Sequence, residues 1–251
     1  MIMRLAYLVL LFSGFHTDVA CSQISKHSEF LQLARVYFKN GQFGNSTQCY
    51  VSALQTVQPG EEQDRALILR QLADVYASLD EISRAERLYS ESPEIYKRKR
   101  DHLNMVILMR SVGLAYSIEY RERDAIRVLK RALSLARELP GPRIDLISGL
   151  LDDLGIAHYR EGRLSEADKY FEEAADLISA TGLPLNDELL NTRGAVLLVQ
   201  GQYVKAEDLL KQALNLRRVT LGQSNPAMRP ANWTISVTSR VRADQRVSCL
   251  R

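Results

Sequence analysis

Three cysteines in 251 residues, Cys21, Cys49 and Cys249, form no CxxC pair and are too few for a disulfide framework or a structural zinc site. Histidine is equally sparse. His16, His27, His102 and His158 do not cluster, so no metal site is expected. A Gly-rich phosphate loop, an HExxH zinc helix, a GxSxG elbow and a Cys/His couple are all missing, which leaves no catalytic constellation; no enzyme activity and no cofactor are expected. No apolar run approaches the roughly 20 residues that cross a bilayer, so no transmembrane span is expected either. Disorder is excluded in turn, because 46% of residues are apolar and 25% are charged. The net charge of +3 comes from the last 23 residues, a local +4, where Arg229, Arg240, Arg242, Arg246 and Arg251 face one Asp244. The chain between residues 23 and 228 sums to −1, a poor basis for nucleic-acid binding.

The first residues read as an address. Arg4 precedes an uncharged run from Leu5 to Phe15, and small residues follow at Ala20, Cys21 and Ser22, the order of a secretory signal peptide over 1–22. Export to a periplasm or the exterior is the expectation, with a lipoprotein anchored at Cys21 as the alternative.

What is abundant is a repeat. Ala34, Ala73, Gly113, Gly155 and Gly194 recur at intervals of 39 to 42 residues. Twelve residues after each stand Ser46, Ala85, Ala125, Ala167 and Ala206, and seven further on Ala53, Ser92, Ala132, Ala174 and Ala213. All these positions are small, as close approach of two helix backbones requires. Large residues flank them at helical offsets: Phe30, Leu69, Met109, Leu151 and Leu190 four before the first position, and Tyr37, Tyr76, Tyr116, His158 and Leu197 three after it. The second helix adds Tyr50, Tyr89, Leu129, Phe171 and Leu210. Gly41, Gly162 and Gly201 stand where a first helix must stop and reverse. The connectors carry Pro59-Gly60, Pro140-Gly141-Pro142, Gly182-Leu183-Pro184 and Gly222 to Pro226, whereas the junction Lys97 to Asp101 has no such breaker. Five repeats are assigned, at 27–60, 66–100, 106–140, 148–182 and 187–221, giving ten helices in a domain over 23–228 and leaving 229–251 as a basic, disordered tail. Lys97-Arg98-Lys99-Arg100 is read as the solvated end of a helix.

The order of Leu33-Ala34, Tyr37, Gly41-Gln42-Phe43, Ser46, Tyr50 and Ala53, repeated in Leu154-Gly155, Gly162, Leu164, Ala167, Phe171 and Ala174, resembles the tetratricopeptide repeat. The period exceeds the family's usual 34 and is similar to the longer repeats of kinesin-light-chain type. Arg193 at an apolar position and His158 at a tyrosine position depart from the pattern. The resemblance implies an all-α fold, a right-handed superhelical solenoid of about five helix-turn-helix repeats, acting as a non-catalytic scaffold whose concave groove binds a partner polypeptide. It implies groove positions at Arg35, Phe38, Lys39, Arg70, Asp74, Arg110, Asp152, Tyr159, Arg160 and Asn191. Arg35, Arg70 and Arg110 would favour a carboxylate-bearing segment. The family's chaperone-tail clamp is not matched, because Leu31, Arg35, Gln71, Ile107 and Ser111 stand at its positions. The alternative function is a targeting or regulatory subunit of a larger enzyme assembly. Leu209, Leu210, Leu214 and Leu216 end the array without a covering helix, so self-association through that end is also expected.

Overall fold

A computed structural model describes residues 27–182 and 185–221 of the chain, so the segments 1–22 and 229–251 singled out above lie outside the described residues. The described residues are all-α. Eleven helices follow one another: α1 (His27–Lys39), α2 (Phe43–Thr56), α3 (Glu62–Ser78), α4 (Ile82–Glu91), α5 (Pro93–Arg98), α6 (His102–Ile118), α7 (Glu122–Glu138), α8 (Ile144–Arg160), α9 (Leu164–Ser179), α10 (Asp187–Val199) and α11 (Tyr203–Leu221). Five helical pairs account for ten of them. The extra element arises because Pro93 has no N–H to offer the carbonyl of Tyr89; the helix breaks at Ser92 and restarts with Pro93 in its first turn.

The chain divides into two compact units at Glu119/Tyr120. In the first, α1 packs on α2, α2 on α3 and α3 on α4, while α6 lies against α3, α4 and α5. Its core joins Phe30, Leu33, Ala34, Tyr37, Tyr50 and Ala53 to Ile68, Leu72 and Val75, and a second cluster joins Ala73, Ala85 and Tyr89 to Tyr96, Leu108 and Ala115. In the second unit α8 packs between α7 and α9, and α10 packs on α9 and α11.

The small positions explain this packing residue by residue. All of those singled out by the repeat are buried. Ser46 and Ser92 satisfy their hydroxyls by donating to the carbonyls of Ala34 (2.9 Å) and Ala66 (3.2 Å), so a polar atom survives at the helix contact. Where Gly155 stands, a Cβ would lie 2.5 Å from Cε1 of Phe171; at Gly194 it would lie 2.8 Å from Leu210 Cδ2.

The turns follow one chemistry with varied residues. Backbone N–H groups of Gln42, Glu81, Arg163 and Gln202 donate five residues back to the carbonyls of Tyr37, Tyr76, His158 and Leu197 at 2.8 to 2.9 Å, the bond that closes a helix over a left-handed residue. Gly41, Gly162 and Gly201 supply that conformation. In the second and third repeats Asp80 (φ 62°) and Tyr120 (φ 58°) adopt it without glycine, and Arg100 (φ 53°) does the same between α5 and α6, the junction that lacks a breaker.

Candidate functional site

The predicted groove residues fall on the first helix of each repeat, and the two units hold separate sets: Arg35, Phe38, Lys39, Arg70, Asp74 and Arg110 in the first, Asp152, Tyr159, Arg160 and Asn191 in the second. In the first unit the register is regular. Arg35, Asp74 and Leu114 each follow the small residue of their helix by one position; α3 meets α1 through Gln71 and Arg35 and packs against α6 on its other side.

At the α1 edge, Arg35 and Lys39 are exposed one turn apart, and neither forms an ion pair with any described residue. Arg35 is steered rather than neutralised: with the Gln71 amide turned so that its oxygen faces α1, Nε and Nη2 donate to it at 3.1 and 3.2 Å, and the guanidinium also meets the Tyr50 hydroxyl. Burial pushes the Tyr50 phenol up to about 12, against the pull of Arg35. Phe38 is half-buried and sits on Phe43, ring centroids 5.6 Å apart.

In the middle, on α3, Arg70 is only 8% exposed and donates from Nη1 to Asp74 Oδ2 at 3.0 Å. Tyr89 donates its hydroxyl to Asp74 Oδ1 at 2.8 Å, and Ser111 of α6 bonds to the same carboxylate. Burial raises the Asp74 pKa, while Arg70, Tyr89 and Ser111 act the other way. The same burial, reinforced by the Asp74 charge, drives the Tyr89 phenol upward. Arg70 and Asp74 thus hold each other. Tyr89 and Ser111 complete this network, and the sequence gives no sign of them as polar partners, since Tyr89 sits at a position that the repeat uses for packing.

At the α6 edge the chemistry changes. Leu114 is 42% exposed and Ile118 41%, again one turn apart on one helix, while Arg110 is half-buried.

In the second unit Asp152, Tyr159 and Asn191 are half-buried, and the exposed Arg160 lies 3.7 Å from Glu122. The departures from the repeat pattern are resolved here. Arg193 bonds Asp168 (2.8 Å) and Glu172 (3.1 Å), tying α10 to α9 with two carboxylates. His158 is 1% exposed and stacks on Tyr170 with ring centroids 5.2 Å apart; burial, aided by Lys130 and Arg163, lowers its pKa. That environment keeps the imidazole neutral and packed. A cleft of about 470 Å³ between α7 and α9 is lined by Lys130, Leu133, Ser134, Arg137, Tyr170 and Glu173 among others.

Among the described residues, His27, Glu61 and Asp64 bring ligand-type atoms within 4.8 Å of one another. Both imidazole nitrogens face carboxylates, at 3.6 Å to Glu61 and 3.7 Å to Asp64, which brings α1 to the start of α3. No helix of the described residues is long and apolar enough to cross a membrane.

A tetratricopeptide repeat model matches residues 149–180 and 188–227. A kinesin-light-chain structure from Podosopora anserina with nearly identical TPR-like repeats superposes with a TM-score of 0.62 at 17% identity, covering 79% of this chain and 97% of that one. Over the matched residues the chain carries tetratricopeptide repeats, and it is similar to proteins of that family. A Rap protein solved in complex with competence and sporulation factor is a further structural relative, with a TM-score of 0.66 at 17% identity over 91% of this chain and 68% of that one. These likenesses show the fold, that of TPR-like solenoids. Among curated proteins, the mitochondrial tetratricopeptide repeat protein 19 of Homo sapiens is 22% identical over 204 residues, 72% of this chain and 54% of the relative. Its Rattus norvegicus counterpart is 23% identical over 203 residues, 72% of this chain and 56% of the relative. The chain spans about half the length of these curated relatives.

These relatives overturn one expectation. Export, with the lipoprotein alternative at Cys21, does not stand, because both curated relatives are mitochondrial proteins. The reason is physical: an eleven-residue apolar run behind one arginine reports how readily a short segment partitions out of water, and that property alone does not specify a destination.

Proposed function

We propose that this repeat protein is a non-catalytic interaction scaffold that binds a partner polypeptide along the first helices of its repeats, and that it does so in mitochondria. The observation that carries the reading is the exposed pair Leu114 and Ile118 on α6, apolar surface at positions where the helices of a repeat array present side chains to a ligand. Arg35 and Lys39 add positive charge at the same register on α1, which supports a partner segment bearing a carboxylate. The Rap relative, solved with a bound factor, and the mitochondrial relatives support the two halves of the proposal by likeness.

Affinity capture from mitochondrial extract, run in parallel with wild type and the double variant Arg35→Glu, Lys39→Glu, tests it. Specific partners should be depleted at least tenfold by the variant, whose two substituted side chains are exposed. Equal recovery by both proteins would contradict the proposal.

A further inference from the structure

The first unit orders its chemistry across three helices, and that order specifies a ligand more narrowly than a peptide of any kind. Two positions of the repeat register, the first and the fifth after the small residue, are Arg35 and Lys39 on α1, Asp74 and Ser78 on α3, and Leu114 and Ile118 on α6. On α1 both side chains are exposed cations with no carboxylate partner among the described residues. On α6 both are exposed aliphatics. Between them Asp74 is claimed by Arg70, Tyr89 and Ser111, so the middle helix has no net charge to offer at this point.

Resting on the reading that this surface binds a polypeptide, we infer that the first unit takes an extended segment carrying an acidic side chain at one end and an apolar side chain five or six residues away. The acidic group pairs with Arg35 and Lys39; the apolar group covers Leu114 and Ile118. The spacing follows from geometry. Adjacent packed helices lie about 8–10 Å apart, and α1 to α3 to α6 is two such steps, about 16–20 Å. An extended chain advances about 3.3 Å per residue, so five to six residues cover the span. Extended backbone also suits the middle of the path, where the Gln71 amide stands beside the Arg35 guanidinium: an extended segment leaves N–H and C=O groups for such an amide to bond, whereas a helix has already used its own. A free anion alone does not fit, because it would leave the aliphatic pair uncovered, and a purely apolar segment would leave two cations unpaired.

The probe is a displayed library of random 12-residue peptides selected on the full chain, followed by binding measurements with synthesised winners. Enriched peptides should share an Asp or Glu five or six positions from a large apolar residue. Arg35→Glu and Ile118→Asp should each weaken them at least tenfold, while Val51→Asp, at an exposed site on α2, leaves binding within twofold. Replacing the peptide's acid by lysine should restore binding to the double variant Arg35→Glu, Lys39→Glu, a rescue that a misfolded variant could not show. Winners that depend on Arg35 and Ile118 but show no common spacing, or a spacing near twelve as a helix would need, overturn this inference and leave the interaction surface standing. Winners insensitive to both substitutions, or none enriched at all, overturn the surface as well.

Discussion

Gly155 is where a single atom decides the fold, because the space a Cβ would take is filled by the Phe171 ring at 2.5 Å. Gly155→Leu should cost about 1–3 kcal/mol by overpacking, read as a lower urea midpoint with an unchanged slope. A melt like that of wild type would contradict the packing described. His158 yields a prediction of opposite character. Its folded pKa lies below the ordinary 6.5, so the unfolded chain binds the proton more readily; stability from this residue is complete above pH 6.5 and is lost as pH falls from there toward the lowered folded value. Thermal melts between pH 7.5 and 5 should therefore converge for His158→Phe and wild type at the high end and diverge, in the variant's favour, at the low end; parallel curves would refute the neutral, buried imidazole. The two residues differ in legibility from Arg70. Gly155 and His158 were readable because the demand for a small side chain recurs in every copy and that for a large packed side chain, a ring in four copies of five, recurs beside it. The state of Arg70 was not, since whether a guanidinium is free or locked depends on Asp74, Tyr89 and Ser111, drawn from three helices.

Helices and turns show the same division. The period of 39 to 42 residues and the small-residue offsets located the helical pairs, because they express backbone contact distances. The break at Ser92-Pro93 escaped, since a proline one residue past a small position fits both the interior of a connector and the first turn of a new helix. The left-handed turns at Asp80 and Tyr120 escaped too, because no glycine marks them. They hold a testable strain. Tyr120 is 88% exposed and makes this conformation with a bulky side chain, which costs about 1–2 kcal/mol, partly offset in a glycine variant by its greater freedom when unfolded. Tyr120→Gly and Asp80→Gly should each stabilise the protein by about 0.5–1 kcal/mol, measured by denaturant unfolding. A loss of stability in both would show that the side chains contribute more than the turn geometry indicates.

At the scale of the molecule, the repeat and its helical architecture were visible in the residues, whereas the cellular address was not: hydropathy alone does not specify a destination, and the mitochondrial relatives contradict the export reading. The central claim is that the surface formed by α1, α3 and α6 is the one that meets a partner. A photoreactive amino acid incorporated at Leu114, at Ile118 and, as a control, at Val51 on α2 tests this in cells whatever the partner's identity. The account predicts a discrete cross-linked species from Leu114 and Ile118 that disappears in the Arg35→Glu, Lys39→Glu background, and none from Val51. Cross-linking from Val51 alone, or a Leu114 product indifferent to those charge reversals, would contradict it.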